Sequence, residues 1–250
     1  MNPDTPGRLD AISTRWSLLR LAHTTDRNAQ AARAALVLRY AKSVRAYVGG
    51  LLKNREDADE LAQEIVVRLL KGDFAGADPT RGRFRDLLKT AARNMVRNFW
   101  EKQSRRKPVE ADLGLIAGAE APGDPWLASW QKTVLDHVWG ALKDVQKANP
   151  KNPAHTLLRL RTEFPDDTSD QLAEKLSSKL GTPIRPDACR QMLRRARLKF
   201  AELLVEEIRL GLDDPSPGRV EEELAALELL DHVRDFLPAD WKVRGELAEV

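Results

Sequence analysis

The chain has 250 residues, enough for one large domain or two small ones, and 42% of them are hydrophobic, enough to form cores. The hydrophobic fraction argues against global disorder, and charged residues make up 32%, against only 14 glycines and 14 prolines, which favours a soluble helical protein. The net charge of +3 does not by itself indicate a polyanionic partner, and the single cysteine, Cys189, excludes an internal disulfide framework.

The sequence also argues against a membrane protein. No apolar run approaches the roughly 20 residues that span a bilayer. The N-terminus, MNPDTPGRLD, lacks the basic start and apolar stretch of a signal peptide. A cytoplasmic location is therefore expected, and a reducing cytosol suits a lone cysteine.

Helical spacing of apolar residues recurs from residue 30 to residue 237, and no strand-type alternation is sustained, so we expect an all-α fold. A disordered lead-in at 1–10 precedes the first helix. Breaks are predicted where Gly, Pro, Asn and Asp cluster. The predicted helices cover about 14–23, 30–52, 58–71, 83–104, 126–148, 155–164, 169–180 and 186–209, with a final amphipathic helix marked by Val220, Leu224, Leu227 and Leu237.

Charge is sorted into blocks along these elements. Residues 81–107 carry ten Lys/Arg against two Asp/Glu, a net +8, and residues 185–200 carry six against one, a net +5. The acidic blocks 54–64, 108–125 and 217–250 carry −4, −4 and −5. Two basic blocks in an otherwise acidic chain indicate two contacts with a polyanion.

The organisation predicted from these patterns is two small helical modules joined by a flexible linker. The first module covers 14–107. Residues 108–125 form the linker, because Pro and Gly mark both of its ends and all of its charge is acidic. The second module covers 126–212, and 219–250 is an acidic amphipathic extension that either packs on a module or shields a basic face.

The first candidate site lies on the predicted helix at 58–71. Its inward residues are Ala58, Leu61, Ala62, Ile65 and Leu69. The opposite face carries Glu60, Gln63, Glu64 and Val67 at helical spacing. Two interpretations stay open: a solvated acidic face, or a docking surface for a partner helix that bears Arg or Lys. Val67 favours the second, because an apolar residue beside Gln63 suits the centre of an interface.

The second candidate site lies on the helix at 83–104. Lys89, Arg93 and Arg97 form a cationic stripe, which destabilises an isolated helix and so favours a function in binding phosphates. Asn94 and Asn98 flank the stripe and suit base edges, while Trp100 is placed to stack on an unpaired base. An exposed basic helix without a ligand is the alternative. The predicted core residues are Phe84, Leu88, Ala91, Met95 and Phe99.

The third candidate site is a predicted helix-turn-helix. Thr168 and Gln171 match the capping-box pattern, Gly181 ends the first helix and Pro186 opens the second. The residues expected to face inward are Leu172, Leu176, Leu180, Cys189, Leu193, Ala196, Phe200 and Leu203. The residues expected to reach a DNA groove are Arg185, Asp187, Arg190, Gln191, Arg194 and Arg197. A plain helical hairpin with a solvated basic face is the alternative.

The order and spacing of these stretches resemble the extracytoplasmic-function (ECF) group of bacterial sigma factors. The residues that carry the resemblance are DELAQEIV at 59–66, RFRDLLKTAARN at 83–94 and LRRAR at 193–197. The opening TRWSLL at 14–19 also looks like proteins of this group. The resemblance covers roughly 14–107 and 130–205.

The resemblance implies a role for each stretch. Asp59, Glu60, Gln63 and Glu64 would face the coiled coil of the polymerase clamp. The 83–107 helix and the loop before it would read the melted promoter element, with a flipped base held near Asn94. Arg190, Gln191 and Arg194 would enter the more distant, double-stranded promoter element.

The function implied is that of an ECF-type sigma factor, which binds core RNA polymerase and directs promoter recognition and transcription initiation. No enzymatic activity and no cofactor or metal are expected, and an anti-sigma factor is left open as a further partner. The alternatives that remain are a polymerase-independent helix-turn-helix regulator, a sigma-like scaffold, and a nucleic-acid enzyme. The last is disfavoured because the four histidines are scattered and no phosphate-binding or metal motif is present.

Overall fold

A computed structural model describes residues 21–22, 24, 28–52, 54–71, 83–106, 124–212 and 215–237. All regular secondary structure in these residues is helical, which confirms the all-α fold class. Several predicted features lie outside the described residues: most of the helix at 14–23, the loop at 72–82, the linker at 108–123 and the end of the extension at 238–250.

The described helices follow the predicted order. They are α1 Ala29–Leu51, α2 Arg55–Lys71, α3 Phe84–Arg106, α4 Pro125–Ala148, α5 Ala154–Glu163, α6 Ser169–Leu180, α7 Pro186–Arg209, α8 Pro217–Ala226 and α9 Leu230–Val233, followed by a 3₁₀ turn at Arg234–Phe236. Helices α6 and α7 begin and end at the predicted residues. Helix α2 begins at Arg55, earlier than the predicted start at about residue 58.

The agreement at α6 and α7 has a local cause. The Thr168 hydroxyl accepts a hydrogen bond from the Gln171 backbone N–H at 3.3 Å, and the Gln171 side chain accepts one from the Thr168 N–H at 2.8 Å. At the other end Gly181 adopts a left-handed conformation with φ 67°, which favours glycine. Such signals act within a few residues and are therefore visible in the sequence.

The chain divides into two compact units. Unit 1 is Met1–Thr133 with Arg209–Asp214, and unit 2 is Val134–Ile208 with Pro215–Val250. The division lies within α4, whereas the predicted second module begins at 126. The difference arises because the first residues of α4 belong to the aromatic core of unit 1.

That core joins α1, α3 and the start of α4. Trp126 and Trp130 are 1% and 4% exposed. The Tyr40 ring stacks on Trp130 with centroids 5.1 Å apart and an interplanar angle of 1°, and Tyr40 lies 5.1 Å from the Phe84 ring. Tyr47 meets Trp126 edge-on at 5.0 Å. Such pairs add about 0.5–1.5 kcal/mol each beyond area burial, so this segment is an integral part of unit 1.

Small polar residues complete the contact between α1 and α4. The hydroxyls of Ser43 and Thr133 hydrogen bond to each other in a buried position, and the Ser129 hydroxyl donates to the Ser43 carbonyl at 3.2 Å. Ser43 is 1% exposed. The small side chains let the two helices approach closely while every one of these hydroxyls keeps a partner, which avoids the cost of a buried unpaired polar group.

The core of unit 2 brings α5, α6 and α7 together with the second half of α4. Cys189 is a small core residue, as predicted: it is 1% exposed, and burial raises the pKa of its thiol. The prediction that Leu180 faces inward is wrong, because this side chain is 37% exposed. Leu180 is the last residue of α6, so the helical register of Leu172 and Leu176 ends before it reaches the core. The buried members of this cluster include Leu142, Leu157, Leu160, Leu172, Leu176, Cys189, Leu193 and Ala196.

The extension corrects a second prediction. The predicted single helix through Leu237 instead ends at Ala226, and α9 begins at Leu230. The Leu229 N–H donates to the Leu224 carbonyl and the Glu228 N–H to the Ala225 carbonyl, both at 2.9 Å, which is the Schellman pattern. Glu228 takes the left-handed position with φ 55°. The stop was missed because its usual marker, glycine, is absent.

Candidate protein and nucleic-acid interfaces

Helix α2 has one buried face and one polar, exposed face. Its five predicted core residues are each between 1% and 5% exposed: Ala58, Leu61, Ala62, Ile65 and Leu69. On the other side Glu60, Gln63 and Glu64 are exposed, and so is Val67, at 41%. Val67 and Leu180 are the large hydrophobic side chains exposed among the described residues. An exposed valine flanked by carboxylates is a suitable centre for a small protein contact.

Two acids of this face are paired within the unit. The Arg45 Nε lies 2.9 Å from Asp59 Oδ1, and the Arg68 Nη2 donates to Glu64 Oε1 at 2.7 Å. All four side chains are more than 40% exposed. Exposed pairs of this kind contribute little stability, so a basic partner can replace Arg45 or Arg68 at low cost.

Helix α3, like α2, has one buried face and one exposed face. Arg93, Asn94, Arg97 and Asn98 are exposed, and Trp100 is half-buried. The Arg97 Nε lies 3.9 Å from Glu101 Oε1, a loose pair between side chains that are both more than half exposed. Of the predicted core residues, Phe84, Leu88 and Met95 are buried, but Ala91 and Phe99 are only half-buried, since Ala92 and Val96 take the inward positions.

Arg93 lies close enough to the core of unit 1 to affect a tyrosine. Burial raises the pKa of the Tyr47 hydroxyl, the positive charge of Arg93 opposes that rise, and the negative charge of Asp124 adds to it. The exposed stripe of α3 therefore borders the aromatic core on the side where α4 begins.

Lys89 differs from the rest of the predicted stripe. It is half-buried, and its ammonium group is hydrogen bonded to the Asp124 carboxylate. The other carboxylate oxygen of Asp124 accepts the Trp126 backbone N–H at 3.0 Å, so Asp124 also caps the first turn of α4. Sequence reasoning missed this role because it assigned Asp124 to the flexible linker, although an Asp before Pro125 and an apolar run is a helix-start signal.

In unit 2, residues 181–185 join α6 to α7, and the predicted groove-facing residues lie along the first turns of α7. Arg185, Asp187, Arg190, Gln191 and Arg194 are all exposed. Asp187 pairs with Arg190 one turn later. This arrangement presents Arg190, Gln191 and Arg194 from successive turns of α7, and Arg185 from the position just before the helix.

Arg197 lies in a different environment from those residues. It is half-buried, and its guanidinium carbon lies 5.2 Å from the centre of the Phe236 ring, within cation–π range. Burial, with the nearby charge of Arg161, lowers the pKa of Arg197. The C-terminal extension thus covers one of the residues that the sequence assigned to DNA.

No three His, Cys, Asp or Glu side chains in the described part of the chain are placed to hold a metal ion. None of the described helices combines the length and the apolarity that a membrane crossing requires.

Comparison with known proteins identifies one domain. Residues 36–106, which span α2 and α3 and most of α1, match the family model of Sigma-70 region 2. This stretch is less than a third of the 250-residue chain. The match supports a sigma factor, a non-enzymatic transcription factor that acts with core RNA polymerase and promoter DNA in transcription initiation. No curated protein and no solved structure gives a significant match to the chain.

Proposed function

We propose that this protein is a sigma factor of the ECF type, which binds core RNA polymerase through α2 and promoter DNA through α3 and α7. The observation that carries the proposal is the Sigma-70 region 2 match at 36–106, which contains both an exposed acidic face and an exposed basic face. A helix-turn-helix regulator that works without polymerase would leave the first of these faces without a partner.

The polymerase contact is assigned to Asp59, Glu60, Gln63, Glu64 and Val67. These side chains are on the outer side of a helix whose inner side is fully packed, so a partner can approach without unfolding anything. Carboxylates around one apolar residue suit a basic helix with a hydrophobic contact at its centre. The rim charges would steer association and the valine would lose its remaining contact with water.

The contact with melted promoter DNA is assigned to Arg93, Asn94, Arg97, Asn98 and Trp100. The arginines are placed to neutralise phosphates, and the asparagines can both donate to and accept from a base edge. Extruding a base costs a few kcal/mol, which stacking on Trp100 would partly offset. Lys89 contributes here only if it leaves Asp124.

The contact with duplex DNA is assigned to Arg185, Asp187, Arg190, Gln191 and Arg194, with α7 as the helix that enters the major groove. Arg suits guanine edges and Gln suits adenine edges. Arg197 would act from the border of this surface because Phe236 covers it. Because the two weak DNA contacts belong to one chain, binding at one raises the effective concentration of the other. The affinity of the whole chain for DNA then exceeds that of either contact by a factor on the order of 10² to 10⁴.

Transcription with purified components tests the proposal. Core polymerase plus this chain, given a library of genomic fragments, is expected to initiate at discrete sites that share two short sequence elements. The variant Gln63→Lys/Val67→Asp places a cation among the acids of the α2 face and a charge at its apolar centre, both at exposed positions, and should abolish initiation while leaving DNA binding by the chain intact. Failure of the unmodified chain to direct initiation on any fragment would contradict the function.

A further inference from the structure

Unit 2 carries a second group of cations that belongs to neither α3 nor α7. Trp139, Lys143 and Lys147 recur every four residues and so lie along one face of α4. Arg159 on α5 lies against the same face, with its guanidinium carbon 4.2 Å from the centre of the Trp139 ring. Lys143, Lys147 and Arg159 are all exposed, and we call them the α4–α5 patch.

The two helices that bear this patch are fixed to each other. The Gln146 side chain accepts a hydrogen bond from the Thr156 backbone N–H at 2.9 Å and donates one to the Thr156 hydroxyl at 2.8 Å. Trp139 also meets the His155 ring edge-on at 5.8 Å. The helices that carry these cations are therefore held together, and a ligand would not have to bring them into place.

Arg159 is positioned without using its hydrogen-bonding groups. A cation over the face of a tryptophan is attracted by the ring quadrupole, an interaction that consumes no N–H donor of the guanidinium. Because the side chain is also exposed, those donors can reach an anion. A guanidinium restrained by a ring loses less rotamer entropy on binding than a free one.

The electrostatic environment of the patch is positive. Residues 143–159 carry four Lys/Arg against one acid, a net +3. That acid, Asp144, is bound to Lys147 with Nζ and Oδ1 2.7 Å apart, and this contact lowers the pKa of its carboxyl. Burial lowers the pKa of His155, and the charges of Arg159 and then Lys143 lower it further.

We propose that the α4–α5 patch binds the sugar–phosphate backbone of DNA and so extends the contact made by unit 2 beyond α7. Lysines one turn apart on α4 are separated by about 5–6 Å, a spacing that suits successive charges along a polyanion better than a single carboxylate. The patch has cationic side chains without the amide or apolar centre that would read a sequence. It would therefore add affinity to any duplex and no base preference. The inference rests on the proposed function, which supplies the DNA.

The test compares two variants with a matched control in salt-dependent binding to a short duplex that lacks promoter sequence. The first variant, Lys143→Gln/Lys147→Gln, removes two charges and leaves the Arg159–Trp139 contact in place. The second, Lys143→Gln/Arg159→Gln, removes two charges and the Arg159–Trp139 contact as well. Lys71→Gln/Arg219→Gln makes the same change in net charge at exposed positions outside the patch. Each patch variant is expected to bind the duplex about tenfold more weakly at low salt. The magnitude of the slope of log K against log salt should fall by about 2 in each patch variant and stay unchanged in the control.

A local measurement accompanies the affinities. Addition of the same duplex should raise the pKa of His155, followed by NMR of its ring protons, because phosphates offset the charges of Lys143 and Arg159. Equal losses in patch and control variants, or an unchanged His155 pKa with bound duplex, would overturn the proposal. So would full DNA affinity combined with weakened binding to core polymerase, which would assign the patch to an acidic protein. Absence of promoter-specific initiation by the unmodified chain would instead overturn the proposed function.

Discussion

Helices α3 and α7 are similar as sequences but differ in what covers their cations. Each has more than 20 residues, an apolar face in the core and a row of Arg or Lys on the other side. In α3 the first cation of the row, Lys89, pairs with Asp124 at the start of α4. In α7 the first cations are exposed and a later one, Arg197, is covered by Phe236. A cationic stripe in the sequence is thus available to a ligand only where no segment of the same chain covers it.

The largest expected effect concerns the segment that brings Asp124 to Lys89. Trp126→Ala should lower the free energy of unfolding of unit 1 by about 3–5 kcal/mol, because it removes a fully buried ring packed on Tyr47 and Trp130. Urea unfolding followed by far-UV circular dichroism measures this. Trp100→Ala, at a half-buried position on α3, is the control and should cost much less. A loss below about 1 kcal/mol for Trp126→Ala would show that α4 does not belong to the core of unit 1.

The exposed cations of α7 and α3 should differ in whether their loss changes the sequence preference of DNA binding. Arg190→Ala or Arg194→Ala should weaken binding to a promoter duplex by about 1–3 kcal/mol and relax the preference at one base pair. Arg97→Ala should weaken binding to all sequences alike and reduce the salt slope by about 1. Fluorescence anisotropy measures the α7 variants on promoter and scrambled duplexes, and Arg97→Ala on single strands of promoter and scrambled sequence. A uniform loss for the α7 variants would mean that α7 contacts only backbone.

Asp124 allows its two roles to be separated. Asp124→Ala removes both the helix cap and the ion pair and should destabilise unit 1 by about 0.5–2 kcal/mol. Asp124→Asn keeps a good N-cap residue but loses the charge, so most of the stability should remain while Lys89 is released. We expect Asp124→Asn to bind DNA more tightly, with a salt slope larger by about 1. An unchanged slope would show that Lys89 does not reach phosphate even when released.

The smallest expected effect tests the end of α8. Glu228→Gly should raise the free energy of unfolding by up to about 1 kcal/mol. A side chain in the left-handed conformation is strained by about that much, whereas glycine has no Cβ and adopts this conformation without strain. Glu228→Ala is the matched control and should be nearly neutral, since alanine meets the same steric cost. Thermal unfolding of both variants measures the difference. Equal stabilities for glycine and alanine would argue against the Schellman geometry.

Determinants of structure that act over short distances were predictable. The capping box at Thr168, the left-handed stop at Gly181 and Pro186 at the start of α7 each depend on neighbours within a few residues, and both helices were predicted to the residue. The inward face of α2 followed from its periodicity in the same way. The stop at Glu228 is also local, but it was missed because glutamate rarely takes that conformation.

The candidate surfaces were predictable in so far as they are contiguous. The faces of α2, α3 and α7 each lie on one helix, so spacing in the sequence places their residues together. The α4–α5 patch was missed because its cations are spread over two helices, and only tertiary packing gathers them. The contact between Phe236 and Arg197 could not be predicted either, since the two residues are far apart in the sequence and no pattern relates them.

The sequence by itself determined the all-α class, where α6 and α7 begin and end, and which face of α2 is apolar, because these depend on backbone hydrogen bonding and periodicity within single elements. The tertiary structure alone decided that α4 begins in the core of unit 1, that Asp124 takes Lys89, and that Phe236 covers Arg197. Those outcomes depend on which distant side chains meet, and burial and charge pairing between distant residues leave no periodic trace in the chain.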